Sequence, residues 1–249
     1  MSRSEEGEII LELHRVKKEY KRGPENVIGV EDISLSVKKG DFVIIVGPSG
    51  SGKTTLLNLM SGMDRPTQGD VIFERRNLRD LTEESLTEIR REKVGFVFQF
   101  FNLVESMTVL ENVMTPLLPD ENLPDKEIEN RALNALSVVG MIEKKDRYPN
   151  ELSGGEQQRV AIARAIVTDA EIIFADEPTA QLDEENAERI IEILARLNRQ
   201  KGATIILATA SRELANRLRD IATKIVTLQQ GKITEIQEKR GNRWVAARR

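Results

Sequence analysis

The sequence predicts an α/β fold on a largely parallel sheet, and three observations carry that prediction. The stretch Gly47-Pro48-Ser49-Gly50-Ser51-Gly52-Lys53-Thr54 fits the pattern G-x-x-x-x-G-K-[ST] at every fixed position. It lies between the apolar, β-branched run Phe42-Val43-Ile44-Ile45-Val46 and the helical pattern of residues 55–60. Further apolar runs at 94–98, 172–175, 204–209 and 224–228 alternate with segments of helical periodicity, which is the signature of a parallel sheet. One of those runs ends on Asp176-Glu177, at the strand end where doubly wound sheets bind their ligands.

Taken in order, residues 9–16 alternate, with Ile10, Glu12, His14 and Val16 on one side and Leu11 and Leu13 on the other. This predicts a strand near a sheet edge, and His14, the single histidine, reads as a strand residue without chemistry. Tyr20 follows, ahead of a turn at Gly23-Pro24; it is either a boundary tyrosine or a stacking aromatic. Residues 30–37 form a second alternating strand, and Lys38-Lys39-Gly40-Asp41 turns it into the run that feeds the glycine loop. The helix after the loop stops near Gly62, Arg65-Pro66-Thr67-Gln68-Gly69 is a turn, and Val71-Ile72-Phe73 is a short strand. Residues 78–91 read as a charged surface helix, and the run from Val94 ends at Gln99. Ile128, Ala132, Ala135, Leu136 and Val139 share a helix face that Gly140 terminates. A helix from about Gln157 to Val167 follows, then one capped by Asp183 that carries Ala187, Ile190, Ile191, Leu194 and Leu197 on one face.

Composition narrows the function classes. The 249 residues carry a formal net charge of −4, which gives no nucleic-acid footprint. No cysteine is present, so disulfide frameworks, cysteine catalysis and cysteine-ligated metals are excluded. No apolar run reaches membrane-spanning length, and the first residues lack a signal-peptide core, so a cytosolic location is expected.

The glycine loop explains its own residue choice. Its backbone can wrap phosphate oxygens with N–H groups turned inward, and the following helix N-terminus adds partial positive charge. Lys53 would reach the β- and γ-phosphates of a nucleotide, and the Thr54 hydroxyl would ligate Mg²⁺. Asp176 fits the second phosphate-loop signature, holding Mg²⁺ directly or through water, and Glu177 is placed to orient and deprotonate an attacking water. Leu152-Ser153-Gly154-Gly155-Glu156-Gln157-Gln158-Arg159 is a second glycine loop opening a helix, hence a second anion-binding end. One nucleotide does not need two such ends from one chain, so the second is expected to meet a phosphate held by another subunit.

On these residues the chain resembles the ATP-binding subunit of ABC transporters across nearly its whole length. The stretch from Leu152 to Gln157 matches that family's signature motif, Gln99 its glutamine loop, and Asp183, in Thr179-Ala180-Gln181-Leu182-Asp183, its D-loop. Tyr20 stands where the family's adenine-stacking aromatic stands. Phe96-Val97-Phe98-Gln99-Phe100-Phe101-Asn102-Leu103 and Thr108-Val109-Leu110-Glu111-Asn112-Val113 look most like the branch serving lipoprotein release and macrolide export. The chain departs from the family at the switch histidine, whose position is Ala210 in Thr209-Ala210-Ser211, and in the D-loop, at Ala180 and Gln181.

The resemblance implies a P-loop NTPase core with a mostly parallel sheet, an N-terminal antiparallel β subdomain and an inserted α-helical subdomain at about 100–160. Residues 1–238 would form the cassette and 239–249 a basic tail. That tail reads as a solvated end, with a membrane-surface or permease contact through Trp244 as the alternative. ATP and Mg²⁺ are the implied ligands. Tyr20, Gly47, Pro48, Ser49, Gly50, Ser51, Gly52, Lys53, Thr54, Thr55 and Gln99 would bind the nucleotide, with Thr54, Gln99 and Asp176 as metal ligands. Glu177 and Gln99 would be catalytic, and Ser153, Gly154, Gly155, Gln157 and Asp183 would act in trans on a partner's ATP. The implied partners are an identical or homologous cassette in a head-to-tail dimer and a separate integral membrane permease, which would hold the chain at the inner face of the cell membrane. A hydrolysis-poor nucleotide clamp and a cell-division or mechanotransmission complex are the alternatives. A soluble ABC protein of translation or DNA repair is disfavoured, because neither a second cassette nor an inserted coiled coil is present.

Overall fold

The chain begins with two long strands, β1 (Ile9–Arg22) and β2 (Glu25–Lys38), paired antiparallel. Along the chain follow β3 (Phe42–Val46), α1 (Lys53–Met60), β4 (Gln68–Phe73), β5 (Arg76–Asn77), α2 (Glu83–Lys93) and β6 (Val94–Val97). Next come α3 (Val109–Met114), α4 (Asp125–Val138), α5 (Gly154–Ile166), β7 (Ile172–Asp176), α6 (Glu184–Lys201) and β8 (Thr204–Thr209). The last elements are α7 (Arg212–Arg217), β9 (Lys224–Gln229), β10 (Lys232–Arg240) and β11 (Arg243–Ala246). This computed structural model describes residues 7–23, 25–241 and 243–247; Pro24, Arg248 and Arg249 lie outside them. The chain divides into two units, one of residues 1–86 and 206–249, the other of residues 87–205.

In the first unit, a four-stranded antiparallel sheet runs in the order β2-β1-β4-β5. β1 is therefore interior, not at the edge its alternation suggested: β4 takes its other side, with Leu11 opposite Phe73 and Leu13 opposite Val71. The alternation itself breaks at a bulge. Arg15 has φ 49° and Asp32, across the ladder, has φ 52°. The extra residue resets the face, so Val16 is buried with Leu11 and Leu13 while His14 points to solvent. The second sheet of this unit runs β11-β10-β9-β3-β8, with β3 and β9 parallel. All five β3 side chains are buried, which is why the run reads as unbroken apolar sequence. Leu56, Leu57, Leu59 and Met60 of α1 are buried too, and each such side chain contributes roughly 1.5–3 kcal/mol by leaving water.

The predicted helix at 78–91 is interrupted. Leu78–Asp80 makes one 3-10 turn and Leu81 is extended. The Thr82 hydroxyl then accepts the Ser85 amide at 3.3 Å, restarting the chain as α2. The expected boundary at 238/239 falls inside β10, and residues 243–246 return as β11, with Lys239 opposite Trp244 and Arg240 opposite Arg243. The Arg219 guanidinium lies 4.9 Å from the Trp244 ring centre, covering one face of the indole.

In the second unit the sheet order is β8-β7-β6, β8 belonging to both units, and Val94–Val97 runs parallel to Ile172–Ala175. Between β6 and β7 lie α3, α4 and α5, the helical insertion of an otherwise α/β unit. α5 starts three residues before the expected Gln157. Ser153 and Glu156 form a reciprocal capping box that sets its first turn at the signature glycines. α6 buries Ile190, Ile193, Leu194, Ala195 and Leu197, a face turned slightly from the predicted one, with Ile191 only half-buried.

Candidate functional site

In the first unit, β3 delivers the chain into the glycine loop and α1 leaves it. Gly52 is the N-cap of α1 at φ 101°, a left-handed conformation that a side chain would strain, and a Cβ there would meet the Gly29 carbonyl at 2.3 Å. No side chain caps this helix and no acidic residue occupies its first turn, so its positive end carries no built-in countercharge. Lys53 is only 5% exposed. Its ammonium turns back over the loop, donating to the Gly47 carbonyl at 2.9 Å and the Pro48 carbonyl at 3.1 Å. The buried Ser51 hydroxyl has no hydrogen-bond partner among the described residues. A desolvated cation, an unsatisfied hydroxyl and an uncapped helix end form a cradle that fits a polyphosphate. Thr54, at the first turn of α1, is exposed.

Tyr20 lies beside this loop, 38% exposed. Its hydroxyl donates to Asp64 at 3.0 Å, and the Lys18 ammonium sits 5.1 Å from its ring centre while pairing with the same carboxylate. Burial alone would raise the Asp64 pKa, but hydrogen bonds from Lys18, Tyr20 and the Arg65 amide outweigh it and hold the carboxyl below its ordinary range. Burial, together with the Asp64 charge, pushes the Tyr20 phenol up, so the ring is held in place and neutral. Nothing in the sequence pattern marks Asp64 as this anchor.

The switch position belongs to the same unit. The Gly47 amide donates to the Thr209 carbonyl at 3.2 Å, so the end of β8 is tied directly to the start of the glycine loop. Ala210 follows, exposed, with only a methyl to offer. Ser211 is bonded locally. Its hydroxyl caps α7 by accepting the Leu214 amide at 3.0 Å, and its own amide is held by the Thr209 hydroxyl at 3.0 Å.

In the second unit, β7 delivers Asp176, 6% exposed, and then Glu177, half-buried with φ 47°. A glutamate held in the left-handed region is strained by roughly 1–3 kcal/mol, and such strain clusters at functional sites. Gln99 follows β6, half-buried, at the start of a loop in which Phe101 has φ 27° and Asn102 has φ 51°. Asp176 and Gln99 give the second unit a carboxylate and an amide oxygen, and Thr54 gives the first unit a hydroxyl; each is the oxygen donor type that Mg²⁺ takes beside phosphate and water oxygens. Among the described residues no cluster of three or more His, Cys, Asp or Glu exists to build a cage for another metal.

At the signature, Ser153 is exposed and Gly155 is buried. A Cβ on Gly155 would lie 2.3 Å from the Asn186 Oδ1, so the second glycine is required by close approach of α6. Asn186 in turn holds Asp183: its amide donates to Oδ1 at 2.8 Å and its side-chain nitrogen to Oδ2 at 2.9 Å. Those bonds keep the Asp183 carboxyl below its usual pKa, the backbone amide contributing most. The D-loop aspartate and the signature glycine therefore share one asparagine; the spacing Asp183-x-x-Asn186 points to its bond with Asp183 but not to its approach to Gly155. Gln157 reaches back to the Leu152 carbonyl at 3.2 Å.

A family model for ABC transporters matches residues 30–180. The ATP-binding protein MJ0796 of Methanocaldococcus jannaschii is 40% identical over 235 residues, 93% of this chain and 98% of that protein. The ATP-binding protein MJ1508 of the same organism is 42% identical over 231 residues, 92% of this chain and 100% of that one. Among solved structures, a dimer of the MJ0796 cassette in a post-hydrolysis state with ADP and Pi superposes with a TM-score of 0.85, at 39% identity, covering 93% of this chain and 100% of that chain. Clostridium perfringens cbiO1, part of the ABC transporter complex cbiONQ, gives 0.80 at 27% identity, covering 92% of this chain and 88% of its own. The chain belongs to the ABC transporter family, as an ATP-binding cassette ATPase.

Proposed function

We propose that this cassette powers a separate membrane permease by ATP-driven head-to-tail dimerisation, with hydrolysis slowed by Ala210. The observation that carries the reading is the coexistence in one chain of an uncapped α1 end under Lys53 and a second glycine-opened helix end at Ser153. Lys53 and the loop amides hold the β- and γ-phosphates, Tyr20 stacks on the adenine, and Glu177 orients and deprotonates the attacking water. Mg²⁺, held by Thr54, Asp176 and Gln99, neutralises charge on the phosphate oxygens when bound. Ser153, Gly154, Gly155, Gln157 and Asp183 serve the ATP of a second cassette. The dimeric form recorded for the MJ0796 cassette supports this arrangement, and cbiO1's place in a transporter complex supports a permease on another chain.

Exposed Phe100, Val104, Leu118, Ile142 and Tyr148, all in the second unit, supply apolar surface for the permease's cytosolic loops. Among the described residues no helix is long and apolar enough to cross a membrane, so attachment through such a partner is part of the proposal. The Phe96–Leu103 and Thr108–Val113 stretches favour the lipoprotein-release and macrolide-export branch. Ala210, with Ser211 occupied as a helix cap, favours one second reading, a clamp that dimerises on ATP and hydrolyses poorly. Sedimentation of Glu177→Gln tests the common core: ATP should produce dimers and ADP should not. Equal monomer fractions with both nucleotides contradict it.

A further inference from the structure

The last turn of α5 makes a contact that the roles above do not use. Arg164 donates from one guanidinium nitrogen to the Phe101 carbonyl at 2.8 Å and from the other to the Asn102 carbonyl. Those two residues have consecutive positive φ angles, and the Asn102 amide folds back onto the Phe100 carbonyl. Neither residue is glycine, so the conformation is costly and persists only while its surroundings impose it. A planar fork meeting two successive carbonyls imposes it, and lysine, a point charge, could not satisfy both in that geometry. Gln99 is two residues before Phe101. The signature is at the opposite end of the same helix, where the Phe101 ring lies 3.6 Å from where a Cβ on Gly154 would stand.

We propose that Arg164 is a positioning residue for the glutamine loop: it holds residues 100–102 in their strained form and thereby sets where Gln99 presents its amide. The inference rests on the reading of Gln99 as an Mg²⁺ ligand. The Arg164 guanidinium bonds the two loop carbonyls. It acts as an outer partner of a ligand, a kind of residue whose loss typically weakens metal affinity about 10-fold or more.

The test is a double-mutant cycle on the full chain, reading the Mg²⁺ concentration for half-maximal ATPase rate. Gln99→Ala and Arg164→Lys should each raise it by about 10-fold, and the double variant should be no worse than Gln99→Ala alone. In Arg164→Lys, ADP affinity without Mg²⁺ should not change, and hydrogen exchange should rise at residues 100–103 but not within α5. Additive effects in the double variant, or slower turnover with an unmoved Mg²⁺ requirement, overturn the proposal. No Mg²⁺ shift in Gln99→Ala alone removes the reading of Gln99 beneath it, a result distinct from additivity. Should Arg164→Lys fail to fold, Arg164→Gln, which keeps one donor group, enters the same cycle with the same expected non-additivity.

Discussion

Two helix ends in this molecule are both glycine-opened, yet they are finished differently. α1 begins at Gly52 with no side-chain cap and no acidic residue in its first turn. α5 begins at Ser153 with a complete capping box, and its Glu156 lies in the first turn, paired with Lys144 and kept below its usual pKa chiefly by that bond. The end proposed to take the terminal phosphates of the chain's own nucleotide has no side-chain cap and is roofed by the Lys53 ammonium. An end proposed to touch a phosphate held elsewhere is stable alone and keeps its serine exposed. Capping thus separates a binding end that waits for its ligand from one that is built beforehand. A third end, at α7, is side-chain capped as α5 is: beside Ala210, the Ser211 hydroxyl accepts the Leu214 amide.

The largest expected effect comes from that third end. Ala210→His should raise kcat by about 10²–10³, the usual worth of one preorganised transition-state donor, while ATP affinity changes little. Brisk hydrolysis by the unmodified chain, unchanged by the substitution, would show that this position does not limit turnover. Next, Lys53→Ala should weaken ATP binding at least about 10–100-fold, since a charge-assisted bond to phosphate is worth roughly 1.5–3 kcal/mol. Calorimetry with Mg²⁺ reads this directly, and wild-type affinity would remove the contrast between α1 and α5.

Asp64→Asn is a smaller change and carries a pH signature. The folded pKa of Asp64 lies below its ordinary value, so its stabilising contribution is complete above about pH 4 and lost as pH falls through the folded pKa. The variant should therefore melt lower than wild type at neutral pH, and the two curves should converge in acid. It should also weaken adenine nucleotides a few-fold by releasing Tyr20. The smallest effect is expected at Trp244→Ala, which removes a part-exposed cation–π contact worth about 0.5–1 kcal/mol. Vesicle flotation should be the same for the full chain and one truncated before Arg243, because β11 is laid against β10 and the indole against Arg219.

The glycine loop, the β3 and β7 runs and the Asp183 cap are legible in sequence because each depends on neighbours in the chain. Continuous apolar runs mean strands buried on both faces, and Asp-x-x-Asn or Ser-x-x-Glu writes a helix start in four letters. What sequence hid depends on distant partners. The bulge at Arg15 exists only against Asp32, so it moved Val16 to the other face without any local sign. β10 escaped notice because Lys232–Arg240 carries only Ile233 and Ile236 as buried residues and is held by its ladder to β9. Asp64, Asn186 and Arg164 are polar residues in ordinary places, and their roles appear only once Tyr20, Gly155 and the Phe101 carbonyl stand beside them.

The claim that the α1 end binds the chain's own ATP while the α5 end completes a partner's is tested most directly by mixing two inactive variants. Lys53→Ala removes the first end and Gly155→Ala, by forcing a methyl against Asn186, removes the second. Single-turnover phosphate release should be absent from each alone and reappear when they are combined, because a mixed head-to-tail dimer contains one composite site with both ends intact. Two variants that each fold and remain inactive when mixed would contradict the account, showing that both helix ends act within one chain.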